Sequence, residues 1–201
     1  MFISINYKNG SIKNTLTSLI LFVDEKFDIS KIKRYFSSSD YSVISDLLKV
    51  RDLKKKILSF EMSSKRKILL VSINKNTTSS DVENLGAKFH DLCKDFKHNE
   101  YFLFTDTLSV QQKNLIGNFL HGLKLKSYKF EKYKTKKNKK TISINVFGKN
   151  KPSNYDQLKF KSIEEGTFYT RDLVSEPGNI LHPDEYAKRL ITLKKIGLKI
   201  N

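Results

Sequence analysis

Apolar and polar positions alternate along the chain with two periods, and the two take turns. Phe2 to Asn6 alternates residue by residue, Ser18 to Asp24 holds a short continuous apolar run, and Arg66 to Asn74 contains Ile68-Leu69-Leu70-Val71 followed by Ser72-Ile73. All three have strand length and composition, and Lys56 to Glu61 reads as a further strand. Ile29 to Leu53 is mixed: Ile44, Leu47, Leu48 and Leu53 have helical spacing, but Ser37-Ser38-Ser39-Asp40 interrupts the stretch. Asp81 to Phe96 predicts a helix, because Ser80-x-x-Glu83 makes a capping box and Val82, Leu85, Phe89, Leu92, Cys93 and Phe96 share one face. Tyr101 to Thr105 reads as a buried strand. A helix from about Val110 to Lys126 follows, with a stripe of Leu115, Ile116, Phe119, Leu120 and Leu123, and with Gly117 and Gly122 permitting close packing. Lys140 to Phe147 alternates strictly and makes the next strand.

Strands alternating with helices of this length predict an α/β domain, a mixed sheet covered by helices on both faces, over residues 1–152. After Pro152 the pattern changes. Ser162-x-x-Glu165 predicts a helix running to about Val174 and stopped by Pro177-Gly178. Pro183 then stands at a first helical position with Asp184 and Glu185 in the first turn. Tyr186, Leu190 and Leu193 form the apolar face, Lys194 and Lys195 the last turn, and Gly197 the cap. Leu198-Lys199-Ile200-Asn201 opens an alternating strand, shorter than the ~5–6 residues strands usually have. Residues 153–201 therefore read as a linker helix and the truncated start of a second domain.

Charge changes this picture little. The 201 residues carry 38 Lys plus Arg against 21 Asp plus Glu, a net charge of +17. Such a balance points toward nucleic acid. Yet 33 of the 38 are Lys and only 5 are Arg, whereas bidentate grips on phosphate and guanine favour Arg. Asn at 15 and Ile at 18 beside Ala at 2 fit a drift in codon composition that also loads the surface with Lys. The one concentrated stretch is Lys124 to Lys140, nine Lys and one Glu interleaved with Tyr128, Phe130 and Tyr133. Those aromatics either stack bases or pack inward beside a solvated connection. The length and apolar content exclude a disordered chain. No apolar run approaches the ~20 residues of a spanning helix and no secretory signal opens the sequence, which gives a cytoplasmic reading without a membrane.

Candidate chemistry is sparse. His90, Cys93 and His98 lie close together, but four-ligand zinc spacing needs a second cluster, and Cys93 falls on the apolar face, so the reading is a core cysteine flanked by surface histidines. His121 points away from its helix stripe and is expected in solvent. Glu164-Glu165 and Asp184-Glu185 sit in first turns, where the helix dipole accounts for them. No glycine-rich phosphate loop is present. The residues alone specify no catalytic, metal or cofactor-binding group.

One segment says more. Phe168-Tyr-Thr-Arg-Asp-Leu-Val-Ser-Glu-Pro-Gly-Asn-Ile-Leu-His-Pro-Asp-Glu-Tyr-Ala-Lys-Arg-Leu190 is close to A-R-D-L-V-N-x-P-x-N-x-L-T-P-x-x-x-A. The match falls at Arg171, Asp172, Leu173, Val174, Pro177, Asn179, Leu181, Pro183 and Ala187, with departures at Thr170, Ser175 and His182. Upstream, Gly122 to Lys134 is similar to G-x-x-L-x-x-Y-x-F-x-x-Y-K. This resembles the passage by which the leucyl aminopeptidase (M17, cytosol aminopeptidase) family leaves its N-terminal domain and enters its catalytic domain. The resemblance implies a macro-domain-like N-terminal domain followed by the first helices of the catalytic one. It implies an activity that removes N-terminal residues from peptides with two divalent metals, manganese or zinc, and hexameric assembly. The metal ligands of that family lie largely in an N-T-D-A-E-G-R motif downstream, which nothing here matches, so catalytic and metal residues carried over are none. The expected role is the N-terminal segment of such an enzyme, inactive alone. The alternative is a lysine-rich nucleic-acid-binding module, and nucleotide binding in the macro-like fold rests on analogy only.

Overall fold

The continuous apolar runs become the centre of a six-stranded sheet. In a computed structural model of the protein, residues 2–10, 17–64, 66–93, 99–108, 114–136 and 140–200 are described. The strands are β1 (Phe2–Tyr7), β2 (Leu19–Val23), β3 (Ile57–Ser63), β4 (Arg66–Ser72), β5 (Glu100–Phe104) and β6 (Thr141–Phe147), in the order β1-β6-β5-β2-β4-β3. All neighbours are parallel except β3 and β4, which pair antiparallel. Every residue of β2 and β4 is buried, because helices cover both of their faces. One face packs Ile20, Phe22, Leu69 and Val71 against α2 (Ser79–Cys93) and α3 (Leu115–Lys126). The other packs Leu19, Leu21, Ile68 and Leu70 beneath α1 (Ser38–Leu48) and a 3-10 turn at Ser30–Tyr35.

Toward the β1 edge the second face turns polar. Ile3, Ile142, Ile144 and Val146 enter the α2–α3 core, while their alternates Ser4, Asn6, Ser143 and Asn145 lie on the opposite side. There Asn6 donates to Ser143 Oγ at 2.8 Å and Asn145 to Glu100 Oε1 at 2.7 Å, so the strict alternation of β6 satisfies polar groups on one side and apolar ones on the other. Helical cover on both faces therefore holds for the central strands.

The helix starts differ from the sequence expectation in three places, each by a capping side chain. Ser37-Ser38-Ser39-Asp40 begins α1, because Ser37 Oγ accepts from the Asp40 amide at 3.1 Å. The capping box of α2 is Thr78 with Asp81, not Ser80 with Glu83: the Thr78 amide donates to Asp81 Oδ2 at 3.0 Å and the Asp81 amide to Thr78 Oγ1 at 3.2 Å. The expected ends at Phe96 and Val110 lie outside the described residues.

The largest correction concerns α4. It runs Asn154–Ser175, capped by Ser153, whose Oγ accepts from the Asp156 amide at 3.1 Å. Ser162 and Glu165 are thus mid-helix, and the helix is 22 residues long, roughly 33 Å. Glu176 ends it ahead of Pro177. Helix α5 (Pro183–Ile191) has Pro183 at its start and Asp184 and Glu185 in its first turn, then tightens into a 3-10 turn ending at Gly197, whose φ of +88° is the left-handed cap glycine accepts without strain. Leu198 to Ile200 form no strand, having no neighbouring strand to pair with among the described residues.

Helices α2 and α3 approach so closely that a Cβ on Gly122 would overlap the Glu83 carbonyl, and one on Gly86 the Phe119 carbonyl. The close packing expected of Gly122 is therefore a backbone-to-backbone contact. Gly117 meets a side chain of α4 instead, leaving room for the Phe160 ring.

Candidate functional site

A cleft of about 680 Å³ lies between β1, α3 and α4. Its apolar lining comes from Ile5, Leu120, Leu158, Phe160 and Phe168, and polar side chains from β1, α3 and α4 make up the rest, among them Tyr7, His121, Lys124, Gln157 and Glu164. His121 and Glu164 meet inside it, His121 Nδ1 at 3.1 Å from Glu164 Oε1, with side chains only 6% and 11% exposed. The Phe160 ring lies 5.2 Å from the imidazole. Tyr7 faces the pair from β1, and burial together with the nearby Glu164 carboxylate pushes its phenol up to about 12. Lys124 Nζ is turned away to the Ile3 carbonyl at 2.5 Å.

Two sequence expectations fail here. His121 is not in solvent, and Glu164 is not in a first turn of a helix. The reason is shared: α4 begins nine residues earlier than expected and covers the face of α3 opposite its apolar stripe, so every residue from Leu115 to Leu123 is buried. His90 is also buried, at 1% exposure, rather than on the surface. Cys93 lies in the α2–α3 core as expected, and burial raises its thiol pKa well above the ordinary range. His98 lies outside the described residues.

A second polar constellation ties the lysine-rich connection to the end of α4. Tyr128 donates to Asp172 Oδ1 at 2.7 Å, its ring is 5.4 Å from Phe168, and the Arg171 guanidinium lies 5.5 Å over it. Arg171 also donates to the Leu125 carbonyl at 2.6 Å. Glu176, its side chain 1% exposed, is met by Lys132, by Tyr133 Oη and by Arg189 at 2.9 Å. These hydrogen bonds, chiefly from Lys132 and Tyr133, hold the Glu176 carboxyl down to about 2. Of the residues carrying the family resemblance, Arg171 and Asp172 thus tie Leu125 and Tyr128 to α4 and Leu173 is buried, while Val174 is exposed. Tyr128 packs against Phe168 in this junction, while Tyr133 is half exposed and only its hydroxyl is engaged, by Glu176. Lys137 and Lys139 lie outside the described residues.

Because the folded Glu176 pKa lies below its ordinary 4.5, its contribution to stability is present above that value and is lost as pH falls toward about 2. Glu176→Gln is therefore expected to lower the melting temperature at neutral pH, with the difference from the parent chain shrinking across that window. Melting curves from pH 6 down to about 2 check this; a constant difference would show that the carboxylate charge is immaterial.

The remaining carboxylates do not assemble a metal centre. Asp81 and Asp156 are held in caps by Thr78 and Ser153, Glu164 by His121, and Glu176 by its cations. Among the described residues no three His, Cys, Asp or Glu side chains converge as metal ligands, so they do not fit the two-metal group that the resemblance implies. Outside the carboxyl ends of β2 and β5, where α/β sheets commonly seat a ligand, Thr107 Oγ1 instead accepts from the Phe22 amide at 2.8 Å.

Comparison with known proteins bears on these features. No family model matches the chain. It is 27% identical over 225 aligned residues to a probable cytosol aminopeptidase of Rickettsia canadensis, spanning 99% of this chain and 43% of that protein. In fold it matches a tomato leucine aminopeptidase variant with a TM-score of 0.71 at 16% identity, over 96% of this chain and 42% of the other. A bottromycin maturation enzyme solved in complex with Mn matches at 0.63 and 14%, over 90% and 36%. The chain spans about two-fifths of the length of these proteins. Its sheet and helices are those of their N-terminal parts. No helix among the described residues is long and apolar enough to cross a membrane.

Proposed function

We propose, for a chain that is a homologue of the N-terminal part of the leucyl (cytosol) aminopeptidases, that it serves as the N-terminal unit of a metal-dependent peptidase that removes N-terminal residues from peptides. The observation that carries this reading is the match of 99% of the chain to 43% of a cytosol aminopeptidase. Residues 1–152 are the N-terminal α/β domain and 153–201 the connection into the catalytic one. That division is supported by α5, in which no side chain is buried, although the first turns of α4 still pack on α3. Tyr186, Ile191, Ile196 and Leu198 are all exposed there, an apolar surface suited to further protein packed against it.

In this reading the two divalent ions, manganese or zinc, and the residues that hold them belong to the part of the enzyme beyond the matched passage. The whole enzyme works in the cytoplasm on peptides and assembles as a hexamer. The lysine-rich connection is read as a structural tie, because Tyr128, Lys132 and Tyr133 are hydrogen-bonded to Asp172 and Glu176 at the end of α4. The test is direct. The purified 201-residue chain supplied with Mn²⁺ or Zn²⁺ is expected to release no ammonia from leucine amide; turnover abolished by a chelator would overturn the assignment of catalysis to residues outside this chain.

A further inference from the structure

We infer that the cleft between β1, α3 and α4 is a binding site for a primary amine with an apolar tail, held by Glu164, Tyr7 and His121. The chemistry follows from what those three groups have left to offer. His121 Nδ1 pairs with Glu164 Oε1 at 3.1 Å, and in the tautomer that donates its Nδ1 proton to the carboxylate, Nε2 is left as a lone-pair acceptor. The second Glu164 oxygen and the Tyr7 hydroxyl have no hydrogen-bond partner among the described residues. Three acceptors on three side chains thus border one cleft, and an alkylammonium carries three N–H donors.

The cations nearby do not fill this position. Lys124 Nζ is committed to the Ile3 carbonyl, and Lys161 lies 3.7 Å from Glu165 at the exposed rim. The Glu164 carboxylate is 89% enclosed, so an ammonium reaching it is exchanged from water into a charge-assisted hydrogen bond rather than a screened surface pair. Beyond the polar group the walls are Leu120, Phe160 and Phe168, which fit a branched aliphatic or aromatic tail and offer ring faces to a cation. A carboxylate ligand, by contrast, meets Glu164 first.

This site is made by residues of this chain alone and is independent of the aminopeptidase reading, so each fails separately. The experiment titrates the 201-residue chain near neutral pH with isoamylamine and with isoamyl alcohol, its neutral counterpart, following the Tyr7 and His121 ring resonances. The amine is expected to saturate, with the alcohol weaker by roughly tenfold or more. Glu164→Gln is expected to abolish that preference, and Tyr7→Phe to weaken the amine severalfold while leaving the alcohol unchanged. Equal affinity for the two probes, no saturation by the amine, or a preference retained in Glu164→Gln would overturn the proposal. Should Glu164→Gln not fold, the two probes on the parent chain and on Tyr7→Phe decide it in the same way.

Discussion

Asp40→Ala is expected to destabilise the protein by about 4 kcal/mol, because it strands a buried cation. Arg66 opens β4 with its side chain 8% exposed, and its Nη1 donates to Asp40 Oδ2 in the first turn of α1. Its Nε and Nη2 have no partner among the described residues. One carboxylate therefore neutralises an enclosed guanidinium, and removing that carboxylate leaves the charge without compensation. Chemical denaturation of Asp40→Ala, Arg66→Met and the pair Asp40→Leu with Arg66→Met checks the cause. The double change is expected to be milder than Asp40→Ala alone, since both charges leave together. A double change as harmful as the single one would place the loss in packing.

Gly122→Ala is the second large effect. Alanine is worth about 1 kcal/mol more than glycine inside a helix. Here the added carbon overlaps the Glu83 carbonyl of α2, and backbone cannot swing aside as a side-chain tip does. Forcing the two helices apart costs about 3 kcal/mol, so a net loss of roughly 2 kcal/mol is expected. For a chain of 201 residues that lowers the melting temperature by about 6 °C. Gly166→Ala is the control: nothing stands within 4 Å of its Cβ, so it is expected to gain slightly. Equal behaviour of the two variants would contradict the backbone contact.

The strands were legible because their residues need no neighbour to be recognised. Leu19 to Val23 and Ile68 to Val71 are apolar throughout since both their faces are covered, and the alternation of Thr141–Phe147 announces one apolar side. Helix starts are ambiguous in the sequence where two capping sequences compete within a few residues. Thr78-x-x-Asp81 and Ser80-x-x-Glu83 are equivalent on paper, and only the path of the chain leaving β4 selects the first. At α4 the ambiguity reaches further. Starting the helix at Ser162 hides the turn that carries Phe160, and with it the cover over α3, so His121 is assigned to solvent and Glu164 to a dipole.

A signal for the cleft was nevertheless present. Gly117 and His121 are four residues apart and share a face of α3, opposite the face Gly122 presents to α2. A glycine on a helix face that reads as polar marks a second close neighbour, here the Phe160 ring. The junction at Glu176 had no such sign: Lys132, Tyr133 and Arg189 are far apart in sequence, and only the fold brings them to one carboxylate. The resemblance at Arg171 to Ala187 located this junction without revealing its partners.

As the N-terminal unit of a leucyl aminopeptidase, the role proposed above, this chain is expected to stand where such a unit stands. Joining its 201 residues to the part of the Rickettsia canadensis enzyme that follows the matched region tests it most directly, with leucine amide hydrolysis in Mn²⁺ as the readout. The chimera is expected to be soluble and to hydrolyse the amide, while the Rickettsia part alone does so at least roughly tenfold less well for want of its packed partner. A chimera that folds yet is no more active than that part alone would contradict that role.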